Sequence, residues 1–268
     1  MPRLTLPLKW HGGKYYLAHH IVDLMPSHIH YVEPFCGGCA VLLAHTGEGR
    51  SELINDLDGR LMNFWRVLQN PNQFAALLRR LEAVPLSRIE WTEAAAALHK
   101  GDEIDQAAAF FICCRQSLAG RRRSFTPPTR TRLRRGMNGN VSEWLGSIEG
   151  LPAVHARLRR VFIESMDAIA LIRREDSPGT FFYCDPTYVP ESRTSPDAYD
   201  HEMTGEQHEA FLDAAMHCKG KVMISGYPSE LYDGRLAGWN RRVFDLPNNA
   251  AGGVEKRRMT EVLWMNYA

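Results

Sequence analysis

Apolar positions recur at helical spacing over residues 15–25, and Pro26 ends that run. His30-Tyr31-Val32-Glu33 then predicts a short strand, stopped by Pro34. A glycine loop, Phe35-Cys36-Gly37-Gly38, feeds an apolar helix over 40–44. Glu52-Leu53-Ile54-Asn55 predicts a second strand, which ends in Asp56 and Asp58. Strand, glycine turn, helix, strand and acid, in that order, open a doubly wound α/β sheet.

From Leu61 to about Val161 the pattern changes. Helices are predicted over 71–81, 104–118 and 142–159, with no strand alternating between them. Thr126-Pro127-Pro128-Thr129 is incompatible with regular helix, and Gly136-Met137-Asn138-Gly139-Asn140 reads as a turn. Strand signals return at 161–164, 180–184, 221–225, 242–244 and 261–265, with helices at 167–173 and 205–217 between them. The division this predicts is one α/β domain built from 1–60 and 161–268, interrupted by a mainly helical subdomain at 61–160.

Composition adds limits. The chain has 268 residues, 44% of them hydrophobic, enough to bury a full core. No apolar run reaches the roughly 18 residues that cross a bilayer. The N-terminus lacks the apolar stretch of a secretion signal, so a cytoplasmic protein without a membrane partner is expected. Cys36 and Cys39 form a C-x-x-C with no second pair, which supports no four-ligand metal site. Reduced, buried thiols are the expectation for all six cysteines.

Net charge is only +1, but its distribution is uneven. Arg121, Arg122, Arg123, Arg130, Arg132, Arg134 and Arg135 fall in one stretch without an acid, and Arg115 lies just before it. Such a strip suits a polyanion, because arginine contacts phosphates and pairs with guanine edges. A solvated surface loop is the plainer reading of the same residues.

Four segments carry candidate chemistry. The glycine loop after the first strand lets a ligand approach the backbone, while G-x-G-x-x-G and G-x-x-x-x-G-K-[ST] are both absent. That argues against an ordinary dinucleotide site and against a P-loop. Asp56 ends the second strand, where a carboxylate accepts both hydroxyls of a ribose or caps the next helix. Leu8-Lys9-Trp10-His11-Gly12-Gly13-Lys14 places an indole wall and a lysine before the first helix. A cation at a helix start is unfavourable unless a carboxylate meets it. The fourth, Asp185-Pro186-Thr187-Tyr188, follows the apolar strand at 180–184. Its carboxylate and the Pro186 carbonyl are two acceptors, suited to the two hydrogens of an exocyclic amine. Tyr188 adds a ring on which a base taken out of its duplex stacks. A plain strand-ending turn has the same composition.

Lys9-Trp10-His11-Gly12-Gly13-Lys14, Val32-Glu33-Pro34-Phe35-Cys36-Gly37-Gly38, Asp56, an insertion and Asp185-Pro186-Thr187-Tyr188, in this order, resemble the Dam-type adenine-specific DNA methyltransferases, especially their shorter phage and prophage members. The resemblance covers nearly the whole chain. It implies a Rossmann-like sheet that binds S-adenosyl-L-methionine and a target-recognition subdomain at 61–160. It also implies double-stranded DNA as the substrate, with the target adenine flipped out and no obligate protein partner. By that likeness Trp10, Lys14, Phe35, Asp56 and Asp185 contact the cofactor. Asp185, Pro186 and Tyr188 form the catalytic motif, and no metal takes part. Two departures stand out. The family usually has a second proline where this chain has Thr187, and the recognition region lacks the aromatic and asparagine hairpin of the GATC readers. The two-acceptor geometry also serves cytosine N4 or adenine in RNA, although serine more often opens the tetrapeptide in the cytosine enzymes. A nucleic-acid-binding relative with weakened catalysis is the third alternative, and Thr187 alone points to it.

Overall fold

The computed structural model describes residues 4–189, 202–247 and 258–268. The chain begins with α1 (Ala18–Asp23), β1 (His30–Glu33), α2 (Ala40–Ala44) and β2 (Ser51–Asn55). It continues through α3 (Gly59–Gln69), α4 (Pro71–Glu82), α5 (Arg88–Ala97), α6 (Glu103–Gln116), the short strands β3 (Leu133–Arg134) and β4 (Met137–Asn138), α7 (Gly139–Glu149) and α8 (Leu151–Leu158). The last third holds β5 (Phe162–Glu164), α9 (Ala168–Glu175), β6 (Thr180–Cys184), α10 (Gly205–Met216), β7 (Lys221–Gly226), α11 (Glu230–Arg235), β8 (Asn240–Pro247) and β9 (Arg258–Met265).

The helices start where local chemistry tells them to. Asn70 caps α4 by accepting from the Asn72 and Gln73 N–H groups, and Pro71 occupies the first turn. Asp102 and Asp105 form a reciprocal capping box at α6, and Thr204 and Gln207 form another at α10. The predicted helix at 142–159 is two helices, α7 and α8, broken at Gly150 with Pro152 opening the second. The predicted turn at 136–140 lies partly in a strand. Arg135 (φ 53°) and Gly136 (φ 73°) make the turn, and Met137–Asn138 pairs back on Leu133–Arg134. Two consecutive left-handed residues are the two-residue turn that suits a hairpin's twist.

Seven strands form one sheet in the order β5-β2-β1-β6-β7-β9-β8. β2, β1, β6 and β7 run parallel, and β9 lies antiparallel between β7 and β8. The parallel strands read as near-continuous apolar runs because both faces are covered. Phe181, Phe182, Tyr183 and Cys184 of β6 are all buried.

The chain groups into two compact units. One comprises Met1–Asp23, Gly37–Thr46 and Gly59–Ile163; the other comprises Leu24–Cys36, Gly47–Asp58 and Glu164–Ala268. In the first, α6 packs against α3, α4 and α5, with the Phe64 and Phe111 rings stacked at 5.8 Å. In the second, Phe182, Phe211, Ile224 and Trp264 lie at the heart of the core around the sheet. This grouping differs from a division at residues 60 and 160. The N-terminal segment and α2 join the helical unit, because the Trp10 indole packs on Gly37 and Gly38, and the Gly37 carbonyl accepts the Trp65 Nε1–H at 3.1 Å.

Candidate active site

Three adjacent parallel strands deliver three of the predicted residues to one edge of the sheet. Val32 pairs with both Leu53 and Phe182, so β2, β1 and β6 end nearly level. Phe35 follows β1, Asp56 follows β2 and Asp185 follows β6. β1 is the first strand, with β2 on one side and β6 on the other, so the winding reverses there. Ligands of open α/β sheets bind outside the carboxyl ends of the strands at such a point.

Asn55, which the sequence reading did not single out, ties these loops together. It is fully buried, and its Nδ2 donates to the Pro34 and Met166 carbonyls, each at 3.0 Å. Its Oδ1 accepts the Met166 N–H at 2.9 Å, and its carbonyl accepts the Cys36 N–H at 2.9 Å. Asp56 is half-buried, and its Oδ1 accepts the Asp58 N–H at 3.1 Å. The half-buried Phe35 ring meets Phe211 edge-on at 5.4 Å. A half-exposed carboxylate that accepts hydroxyls and a half-exposed aromatic ring, each following one of two adjacent strands, are groups that fit the ribose and adenine of a nucleoside cofactor.

The tetrapeptide after β6 is held by side chains from β7 and β9. Cys184 pairs with Ile224, so the next residues, Asp185 and Ser225, come level. Ser225 Oγ donates to Asp185 Oδ1 at 2.9 Å, and Tyr183 Oη lies 2.8 Å from the same Oγ. A serine has one proton and the carboxylate is the stronger acceptor, so the hydrogen bonds run from Tyr183 to Ser225 to Asp185. Burial, followed by the Asp185 charge, pushes the Tyr183 phenol well above its ordinary pKa and keeps it a donor.

Thr187 Oγ1 accepts the Met203 N–H at 3.1 Å. Tyr188 is buried, its ring 4.2 Å from Tyr227 at 49°, and its hydroxyl donates to Glu261 Oε1 at 2.6 Å. The sequence reading placed Ser225 and Glu261 only as end residues of the predicted strands 221–225 and 261–265, with no role at the site. Their only signal was a polar residue next to an apolar run. β9 runs antiparallel to β7, so the start of one lies at the carboxyl end of the other.

The remaining predicted residues lie in the helical unit. Trp10 covers the glycine loop so closely that a Cβ on Gly37 would come 2.5 Å from its Nε1, and one on Gly38 2.8 Å from its Cβ. Gly37 also has φ +44°, a second reason for glycine there. Lys14 is buried, and its Nζ donates to the Gly12 carbonyl at 3.2 Å. The Arg122 guanidinium lies over the Trp10 ring at 5.4 Å and the Phe110 ring at 5.2 Å.

The arginines do not form one uniform strip. Arg115 departs from the expectation of a phosphate contact. Its guanidinium turns inward and donates to the Glu143 carbonyl at 2.9 Å, and burial pulls its pKa down to about 10. Arg132 pairs with Glu143 and Arg135 with Glu149, both acids of α7. A stretch without acids in sequence is therefore partly neutralised from a neighbouring helix. Arg121, Arg123, Arg130, Arg132, Arg134 and Arg135 are exposed, the last two on the β3–β4 hairpin and its turn. Lys256, Arg257 and Arg258 are a second, weaker basic cluster in the sequence; the first two lie outside the described residues, and Arg258 pairs with Asp245.

All six cysteines are free thiols, five of them buried. Among the described residues no helix is long and apolar enough to cross a membrane.

A mostly parallel sheet wound in this way, with a glycine loop, an acid and a carboxylate–proline turn following three of its strands, is the Rossmann-like frame of S-adenosylmethionine-dependent methyltransferases. Residues 10–234 match the family described as D12 class N6 adenine-specific DNA methyltransferase, and the chain belongs to that family. It is an adenine-specific DNA methyltransferase, and S-adenosylmethionine is its methyl donor. The type II methyltransferase M1.LlaDCHI of Lactococcus lactis subsp. cremoris is 25% identical over 97% of this chain and 94% of its own length. The DNA N-6-adenine-methyltransferase of Escherichia phage P1 is 27% identical over 84% of this chain, which spans only 30% of that protein. Among solved structures, the rRNA methyltransferase AviRa of Streptomyces viridochromogenes aligns at 13% identity over 93% of this chain and 84% of that one. Its TM-score of 0.37 is too slight a likeness to argue from.

Proposed function

We propose that Asp185 and the Pro186 carbonyl bind the two N6 hydrogens of an adenine flipped out of double-stranded DNA, and that Tyr188 stacks on that base. The N6 lone pair is delocalised into the purine ring and is a poor nucleophile. Two acceptors on its hydrogens draw the nitrogen toward a tetrahedral shape and return the lone pair to it. The cofactor supplies a methyl group already activated on a sulfonium. Positioning therefore supplies much of the rate, and the chain's task is orientation. With the methyl leaving sulfur as the N–C bond forms, Asp185 would stabilise the positive charge growing on the amine and take the departing proton. Stacking on Tyr188 requires one face of that buried ring to be uncovered, because a base inside the duplex is out of reach.

Asp56 is assigned to the cofactor ribose, Phe35 to its adenine face, and Trp10 and Lys14 to further cofactor contacts. Segment 61–160 is assigned to DNA recognition at a short sequence. The exposed Arg121, Arg123, Arg130, Arg132, Arg134 and Arg135 meet phosphates or base edges there, with Arg122 beside Trp10 as a nearer contact. The enzyme then works in the cytoplasm, alongside its DNA.

The observation that supports this reading best is the Ser225 hydrogen bond, which fixes Asp185 at the carboxyl end of β6. The test is transfer of labelled methyl from S-adenosylmethionine to unmodified double-stranded DNA, with nucleoside analysis of the product. N6-methyladenine is expected from the native enzyme. Asp185→Ala is expected to abolish transfer while cofactor binding largely persists, and native turnover by that variant would sink the assignment.

A further inference from the structure

We infer that Glu261 on β9 is the positioning residue of the base-stacking tyrosine. The inference rests on the reading of Tyr188 given above and deepens it. Tyr188 Oη donates to Glu261 Oε1 at 2.6 Å, and both side chains are buried. The two residues are 73 positions apart in sequence, so this contact ties the loop after β6 to a strand on the far side of β7.

A buried carboxylate is costly unless it is hydrogen-bonded, and a neutral acceptor would satisfy a phenol at lower cost. A carboxylate gives a shorter and stronger bond, which fixes where the hydroxyl lies. The other side of the ring is fixed by packing. Tyr227 lies 4.2 Å away, and a Cβ built on Gly226 would sit 4.0 Å from Tyr188 Cδ1. With its hydroxyl held by Glu261 and its body by Tyr227 and Gly226, the ring plane has little freedom.

That plane decides where a stacked base lies, and so where N6 points relative to Asp185. Small errors in the placement of reacting atoms cost large factors in rate. The carboxylate has a second effect. A phenol that donates to an anion carries a more electron-rich ring, which suits an adenine whose amine gains positive charge during transfer.

The geometry makes distinct demands on four variants. Glu261→Ala removes the acceptor, and Tyr188→Phe removes the donor while keeping the ring. Glu261→Gln keeps an acceptor oxygen at the same place, and the double variant Glu261→Ala/Tyr188→Phe removes both partners. Losing a charge-assisted hydrogen bond predicts a kcat about 10- to 100-fold lower for each of the first two. KM for DNA and cofactor affinity should stay within about threefold. Glu261→Gln should recover to within about fivefold of native kcat, and the double variant should be no slower than either single one, because one contact is lost only once.

A 2-aminopurine placed at the target adenine gives a readout that a merely structural residue would not move. Stacking on Tyr188 quenches its emission, and Glu261→Ala should raise that emission at saturating enzyme. Should Glu261→Ala fold poorly, Tyr188→Phe and Glu261→Gln still test the contact. Native kcat in both Tyr188→Phe and Glu261→Ala overturns the inference, as do strictly additive losses in the double variant. Tyr188→Ala separates the two levels of argument. Native transfer by Tyr188→Ala removes the base-stacking reading itself. An inactive Tyr188→Ala beside a native Glu261→Ala removes the role of Glu261 alone.

Discussion

Glu143 gathers four cations of the helical unit, and its loss should cost that unit stability. Its carboxylate lies 3.3 Å from Lys9 Nζ, 2.5 Å from Arg132 and 3.8 Å from Arg134, while its carbonyl accepts the inward-turned Arg115. Burial pushes the Glu143 carboxyl up, but Lys9, Arg132 and Arg115 together outweigh it and hold the group below the usual carboxylate range. The partner points the other way. Burial and Arg115 pull Lys9 down in spite of Glu143, as expected where four cations crowd one anion. Glu143→Gln keeps the shape and removes that anion. The gross Coulomb term for one pair at 3.3 Å is about 5 kcal/mol at an effective dielectric near 20. Glu143 and Lys9 are 23% and 29% exposed, so the net falls between the surface and the buried limits. A loss of about 2–3 kcal/mol is expected, or a urea midpoint lower by about 1 M. The sign with pH follows from the depressed pKa. The contribution is full above the unfolded carboxylate value of about 4.3 and is lost as pH falls through the lower folded value. The gap between native and variant should therefore persist at pH 7 and narrow as pH falls below the unfolded carboxylate value. Urea unfolding followed by circular dichroism measures it, and a loss under about 0.5 kcal/mol at pH 7 would refute the reasoning.

Two further predictions concern the loop after β6. Ser225→Ala removes the donor to Asp185 Oδ1 and the partner of Tyr183, and a hydrogen bond to a charged group is worth about 1.5–3 kcal/mol. Its kcat for methyl transfer should fall about 10- to 150-fold with cofactor affinity near native by calorimetry; native kcat would show that Asp185 needs no such support. Thr187→Val and Thr187→Pro both remove the acceptor of the Met203 N–H, at a cost of about 1 kcal/mol and about 2–4 °C of melting temperature. Restoring the usual proline should therefore not improve this enzyme, and a faster and more stable Thr187→Pro would show that the Met203 contact contributes nothing.

The legible parts of this chain were those written in local pattern. The alternation of apolar strand with glycine or acid gave β1, β2, β6, β7 and the direction of the sheet, because buried parallel strands are short apolar runs. The tetrapeptide stands out in the sequence because the chemistry proposed for it lies in four consecutive residues. What could not be read was pairing across long sequence distances. The seven arginines between 121 and 135 have no acid among them, yet Glu143 and Glu149 come back to them along α7, and Arg115 turns inward from α6 onto the Glu143 carbonyl. Asn55 looked like the last residue of a strand, and its four hydrogen bonds to two other loops depend on where β1 and α9 arrive. The hairpin at 133–138 was read as a turn because two residues per strand leave no periodicity to detect.

Thr187 shows why the difference matters for function. From sequence it is a lost proline and hence a weakened turn. In the structure its hydroxyl gains a backbone partner, while Asp185 and Tyr188 on either side are held by Ser225 and Glu261. Proline stiffens a turn from within, by fixing one φ. Here three hydrogen bonds tie the loop's side chains to three separate segments, through the Met203 N–H, Ser225 Oγ and Glu261 Oε1. A loop braced in that way depends less on its own backbone, so the second proline is dispensable while the Met203, Ser225 and Glu261 contacts remain.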